Sequence, residues 1–149
     1  MIDFQTHNVE IPAVDFDLVR RWIVKVAETH DRIVGPLTYL FCDDPHIIEV
    51  NRQFLNHDFF TDIITFDYTR RRRISGDMVI SLDTVASNAE MLGVEYMREL
   101  HRVIIHGVLH LCGIDDKGEG EREIMESHEN DALDLLDKLR LTQNNKHIL

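Results

Sequence analysis

Two histidines four residues apart, His106 and His110, have the residue type and spacing best suited to chemistry in this sequence. On a helix, four residues amount to about 40° of rotation and roughly 6 Å of rise, so both imidazoles leave the same face. One helix can supply two metal ligands in this way. The neighbours Ile104, Ile105, Val108, Leu109, Leu111 and Cys112 make the segment apolar nearly all round, which marks a buried helix. Buried imidazoles need polar partners or a metal. Gly113 can then adopt a left-handed conformation and reverse the chain, bringing Asp115 or Asp116 back toward the same face. The whole pattern, HxxxHxxGxxD, has the spacing of the metzincin motif HExxHxxGxxH with two changes. Gly107 stands where those proteases carry their general-base glutamate, which argues against peptide hydrolysis by that route. Asp116 stands in the third ligand position, and two histidines with one carboxylate make a normal open metal site. The expected cofactor is one Zn2+ (or another divalent ion) per chain, held by His106, His110 and Asp116. His57, His101 and His128 are the alternative third ligands, and Cys112 reads as a buried, inert thiol.

These residues need a scaffold. Ile2 to Thr6 alternates as a first strand. Phe16, Val19, Ile23, Val26 and Ala27 recur at helical spacing after Asp15, a helix broken by Gly35-Pro36. Residues 37–42 (LTYLFC) read as a buried strand, and IIEVNRQFL after Asp43-Asp44-Pro45 as a second helix. The β-branched run 61–66 and the strand 77–82 form an antiparallel pair joined through the arginine run. Asp83 or Thr84 caps a third helix ending at Gly93. The long motif helix spans about residues 95–112. A last helix covers about residues 121–139, and beyond Leu141 the polar tail is frayed. Strands alternate with helices early and helices dominate late. The expected fold is therefore α+β, a small mixed four-stranded sheet packed with about five helices, in a single domain over 1–149 with the metal site on a long central helix.

Composition narrows the partners. The 149 residues carry a formal charge of −11, with 44% apolar and 29% charged residues. An acidic chain does not grip nucleic acid with its whole surface, because phosphate neutralisation needs Lys and Arg. The local exception is Arg70, Arg71, Arg72 and Arg73, which are consecutive and suited to RNA phosphates. Two distant cysteines make no disulfide framework. With no apolar leader and no membrane-length apolar run, the reading is a cytoplasmic protein with reduced thiols and no membrane partner.

The stretch HGVLHLCG resembles the HGxLHLxGxDH signature of the YbeY endoribonucleases. Residues 61–66, TDIITF, resemble that family's TDVLSF segment, residues 76–81, GDMVIS, resemble its GDIxIS strand, and Asn51 fits as well. The motifs keep their order from about Asn51 to Glu129. The resemblance implies a small α+β domain with a metal at the base of a cleft, held by His106, His110 and the third-position residue. It implies a single-strand-specific endoribonuclease that matures the 3′ end of small-subunit ribosomal RNA and takes part in ribosome quality control. Its partners would be that RNA, the ribosome and assembly factors. Two positions depart from the family pattern. Asp116 replaces the usual His, with Asp115 aligned to the family's own Asp, and a hard carboxylate alters metal preference or affinity. Leu55 stands where the family usually carries an Arg that contacts phosphate. Arg52, three residues earlier on the same helix, is the replacement candidate. The attacking group, water or the substrate's 2′-hydroxyl, stays open. Asp115, Asp62 and Asp77 are candidate bases, with a structural role favoured for the last two. The competing functions are a ribosome-assembly factor with a structural metal and, less favoured, a metalloprotease.

Overall fold

The computed structural model describes residues 1–56 and 61–148, with side chains described as far as residue 143. Among the described residues the chain runs β1 (Ile2–Thr6), α1 (Phe16–Thr29), β2 (Ile33–Cys42), α2 (Asp44–Leu55), β3 (Ile63–Asp67), β4 (Arg73–Ser81), α3 (Leu82–Leu92), α4 (Tyr96–Leu111) and α5 (Glu121–Ile148). The four strands form one sheet in the order β1-β2-β4-β3. β1, β2 and β4 are parallel, and β3 runs antiparallel to β4. This is the α+β architecture that the alternation of elements predicts. No helix among the described residues is long and apolar enough to cross a membrane.

Strand side chains alternate between faces, and both faces here are covered. Leu37, Tyr39 and Phe41 of β2 join Ile74, Met78 and Ile80 of β4 in the larger core, under α1, α4 and α5. Cys42, Ile64 and Val79 point the other way and pack with Ile47 and Val50 of α2. Two buried polar tips fix the helices above the larger face. The Tyr39 hydroxyl donates to the Ile104 carbonyl of α4 at 2.8 Å, and the Trp22 indole N–H donates to the Ala132 carbonyl of α5 at 2.7 Å. Such bonds let large aromatic rings be buried without stranding a polar atom.

Five details differ from the sequence expectation. α1 ends at Thr29, and Asp31 takes a positive φ of 58° to turn the chain. Gly35-Pro36 lies inside β2, where the register against β4 shifts between Val34 and Leu37. A bulge is where a strand tolerates the missing N–H of proline. β4 begins four residues earlier than expected, at Arg73, and Ser81, one residue before α3, is the cap: its hydroxyl accepts from the Thr84 N–H. α5 continues to Ile148 instead of fraying after Leu141. Gln143 explains part of that, since it donates to Asp15 at 3.1 Å and accepts from Arg21 at 2.6 Å, tying the late turns of α5 to α1.

His101 shows how this core responds to acid. Its Nδ1–H donates to the Met97 carbonyl at 2.6 Å and its ring lies edge-on to Trp22. Burial lowers its pKa despite that bond. In the unfolded chain the same imidazole takes up a proton near pH 6.5, so acid favours the unfolded state. Stability is therefore full above that value and is lost as pH falls from it toward the lower native pKa. The urea midpoint of the wild type should drop between pH 7 and pH 5.5 by more than that of His101→Gln. Equal drops would assign the acid sensitivity to other groups.

Candidate metal centre and cleft

α4 is amphipathic in an unusual sense: its apolar residues enter the core, while a polar stripe at spacings of three and four residues, Glu99, Arg102, His106 and His110, follows one face. The helix ends at Cys112, and Gly113 adopts a positive φ of 97°. That left-handed residue, open to a residue without Cβ strain, sends the chain back as the motif spacing requires. Asp116 returns to His106, with Oδ2 3.2 Å from Nε2, whereas Asp115 is exposed.

His106 lies in a cleft of about 700 Å³ together with Asp62, Glu99, Arg102, Asp116 and Glu129. A carboxylate faces each nitrogen of its ring, because Glu129 Oε2 is 2.7 Å from Nδ1. Burial acts to lower the pKa of His106, but the Glu129 hydrogen bond and charge, with Asp116 and Asp62, outweigh it and leave it raised. Burial raises the pKa of both Asp62 and Glu99, opposed at Asp62 by His106 and at Glu99 by Arg102.

This donor chemistry suits a divalent ion. A neutral imidazole has one N–H for two carboxylates, so a proton or a cation must mediate the second contact. Two ligands each about 2.1 Å from a tetrahedral ion stand roughly 3.4 Å apart, close to the separation of His106 and Asp116. A ring N–H given to a carboxylate is also the usual support of a ligating histidine. As the side chains stand, no three His, Cys, Asp or Glu groups among the described residues converge tightly enough to hold an ion. His110, one turn beyond His106, is half-buried and outside the cleft lining.

The remaining candidates fall elsewhere, with one exception. His101 faces Trp22, and His128 of α5 meets His30 edge to face at 5.0 Å. His57 lies outside the described residues. Cys112 is buried, and burial pushes its thiol up to about 11, as expected of an inert thiol. Asp77 accepts from the Tyr68 hydroxyl at 3.2 Å, away from the cleft, whereas Asp62 lines it. Arg52 and Arg70 to Arg73 do not line the cleft. The arginine run forms the β3–β4 turn, where Arg72 pairs with Asp31 at 2.7 Å. The cations at the cleft are Arg102, Lys117 and Arg122.

Sequence reasoning passed over Glu99, Arg102 and Glu129. The first two were detectable as the polar stripe that continues His106 toward the start of α4. Glu129 carries no local signal, since 23 residues separate it from His106.

A family model described as Endoribonuclease YbeY matches residues 1–137. The chain is similar to an endoribonuclease YbeY of Phocaeicola vulgatus, 59% identical over 91% of this chain and 99% of the relative. It is 56% identical to an endoribonuclease YbeY of Parabacteroides distasonis, over 91% of this chain and 95% of that one. A Thermotoga maritima protein solved in solution shares the fold, with a TM-score of 0.63 at 21% identity over 98% of this chain and 93% of its own. From the motif helix to the matched relatives, the chain belongs to the YbeY endoribonuclease family.

Proposed function

We propose that this protein is a metal-dependent endoribonuclease that cuts single-stranded RNA, with small-subunit ribosomal RNA as its substrate and the cytoplasm as its place of action. The observation that carries the reading is the imidazole of His106 set between Glu129 and Asp116 within a large cleft, in a chain whose relatives are named endoribonucleases. His106, His110 and Asp116 would hold the ion, with Zn2+ favoured by the mixed nitrogen and oxygen donors. A divalent ion there supplies Lewis acidity toward a phosphoryl oxygen and lowers the pKa of water. The chain's own residues do the rest. Glu129 orients His106, Asp62 offers a second carboxylate in the cleft, and Lys117 and Arg122 supply positive charge where a phosphate backbone would enter. Arg70 to Arg73, with Arg52, would provide a separate surface for RNA, the ribosome or its assembly factors.

Leu55 and the absence of Arg70 to Arg73 from the cleft lining favour a second reading, an assembly factor whose metal is structural. Cleavage assays separate the two. Purified protein should cut an unstructured RNA, spare the same sequence in duplex, stop with chelator and resume on restoring zinc or manganese. Intact RNA under all of these conditions, with metal bound, would favour the assembly factor.

A further inference from the structure

Arg102 is an arginine in the cleft, but its donors are committed inward. Nη1 donates to Glu129 Oε1 at 2.9 Å and Nη2 to Asn130 Oδ1 at 3.1 Å. Nε lies 3.8 Å from Glu99 Oε1, a buried oxygen that makes no hydrogen bond among the described residues. A guanidinium held on three sides by its own chain is not offered to a phosphate.

Glu129 is 6% exposed and divides its two oxygens between two partners one turn apart on α4. Oε1 accepts from Arg102, and Oε2 faces Nδ1 of His106. An ionised carboxylate only accepts, so a short contact at Nδ1 places the single proton of a neutral imidazole there. The lone pair is then at Nε2, on the side of Asp116. Without Arg102, Glu129 would be a buried carboxylate lacking its counter-charge and one of its two fixed bonds.

We propose that Arg102 is a positioning residue: through Glu129 it fixes the tautomer and ring orientation of His106 so that Nε2 is presented toward Asp116 and a divalent ion. This rests on the metal reading above. In this chain an α4 arginine is thus assigned to orienting the ligand histidine, not to gripping substrate.

The test uses the full chain labelled with 15N, with two readouts. Long-range 1H–15N spectra of the imidazoles in metal-free protein, recorded at alkaline pH where the ring is neutral, report the His106 tautomer. Competition with a chromogenic chelator reports zinc affinity. Wild type should show His106 as one tautomer, protonated at Nδ1. Arg102→Met should give averaged nitrogen shifts and zinc affinity about 10- to 100-fold weaker. Arg102→Lys, which keeps the charge, should recover part of both. Losses in Arg102→Met and Glu129→Leu should be strongly non-additive in the double variant, as for groups acting through one contact. Unchanged tautomer and affinity within twofold in a folded Arg102→Met protein would overturn the proposal and leave the metal site intact. If His106→Ala itself retains wild-type zinc affinity, the metal reading fails, and this proposal with it.

Discussion

Alanine at His106 is expected to remove the bound metal and to slow RNA cleavage about a thousandfold or more while the protein stays folded. Losing the ion forfeits several kcal/mol of charge stabilisation at a phosphoryl transition state. About 4 kcal/mol corresponds to three powers of ten in rate. The fold should survive, because His106 is half-buried and Glu129 keeps its bond to Arg102. Metal content by plasma mass spectrometry, on protein purified without a histidine tag, should fall from about one equivalent to none in His106→Ala, His110→Ala and Asp116→Ala. Each variant separates a different claim. Metal retained in Asp116→Ala alone would transfer the third position to the exposed neighbour Asp115 or to another histidine. Metal retained in His110→Ala would reduce the protein's contribution to the two groups that already meet at 3.2 Å. Wild type that stays free of zinc, nickel and manganese would end the hydrolytic reading.

How much of this site was legible in the sequence follows from the range of each signal. The motif helix, the left-handed Gly113 and the return of Asp116 are local, set by helical spacing and one glycine, and the structure has all three. The sheet was legible because β2, β3 and β4 alternate or run apolar with β-branched residues. The arginine run was legible as the β3–β4 connection, but not its placement. The register of β4 against β2 carries it beside Asp31, two residues past α1, and no property of four consecutive arginines encodes that. Gly35-Pro36 misled because a Gly-Pro pair normally interrupts an element, and only the register of β2 against β4 shows a bulge absorbing it. Glu129 and Gln143 act across pairings of helices distant in sequence, and a single sequence carries no record of which helices meet.

Glutamate at Gly107 is expected to leave the protein unfolded, not to convert it into a protease. From spacing alone, Gly107 appears as the place where a metzincin glutamate is missing. In the structure it is the point where α4 comes down on the sheet. A Cβ there would meet Met78 Cγ at 2.9 Å and Ile63 Cδ1 at 3.1 Å. Overpacking of this kind costs about 1–3 kcal/mol, and a carboxylate forced into the same apolar contact costs several kcal/mol more. Together these approach the whole stability of an ordinary domain, about 5–15 kcal/mol. Alanine isolates the packing part. It gains about 1 kcal/mol of helix propensity over glycine and loses about 1–3 kcal/mol to crowding, so Gly107→Ala should fold with a melting temperature lower by up to about 8 degrees. Circular dichroism melts of the two variants make the comparison. A cooperative, near-wild-type melt for Gly107→Glu would show that α4 can lift from Met78 and Ile63. Metal-dependent peptide cleavage by that variant would restore the protease reading that Gly107 argues against. Glycine at 107 thus reports the closeness of α4 to β3 and β4, and His106, one residue earlier, lines the cleft beside that contact.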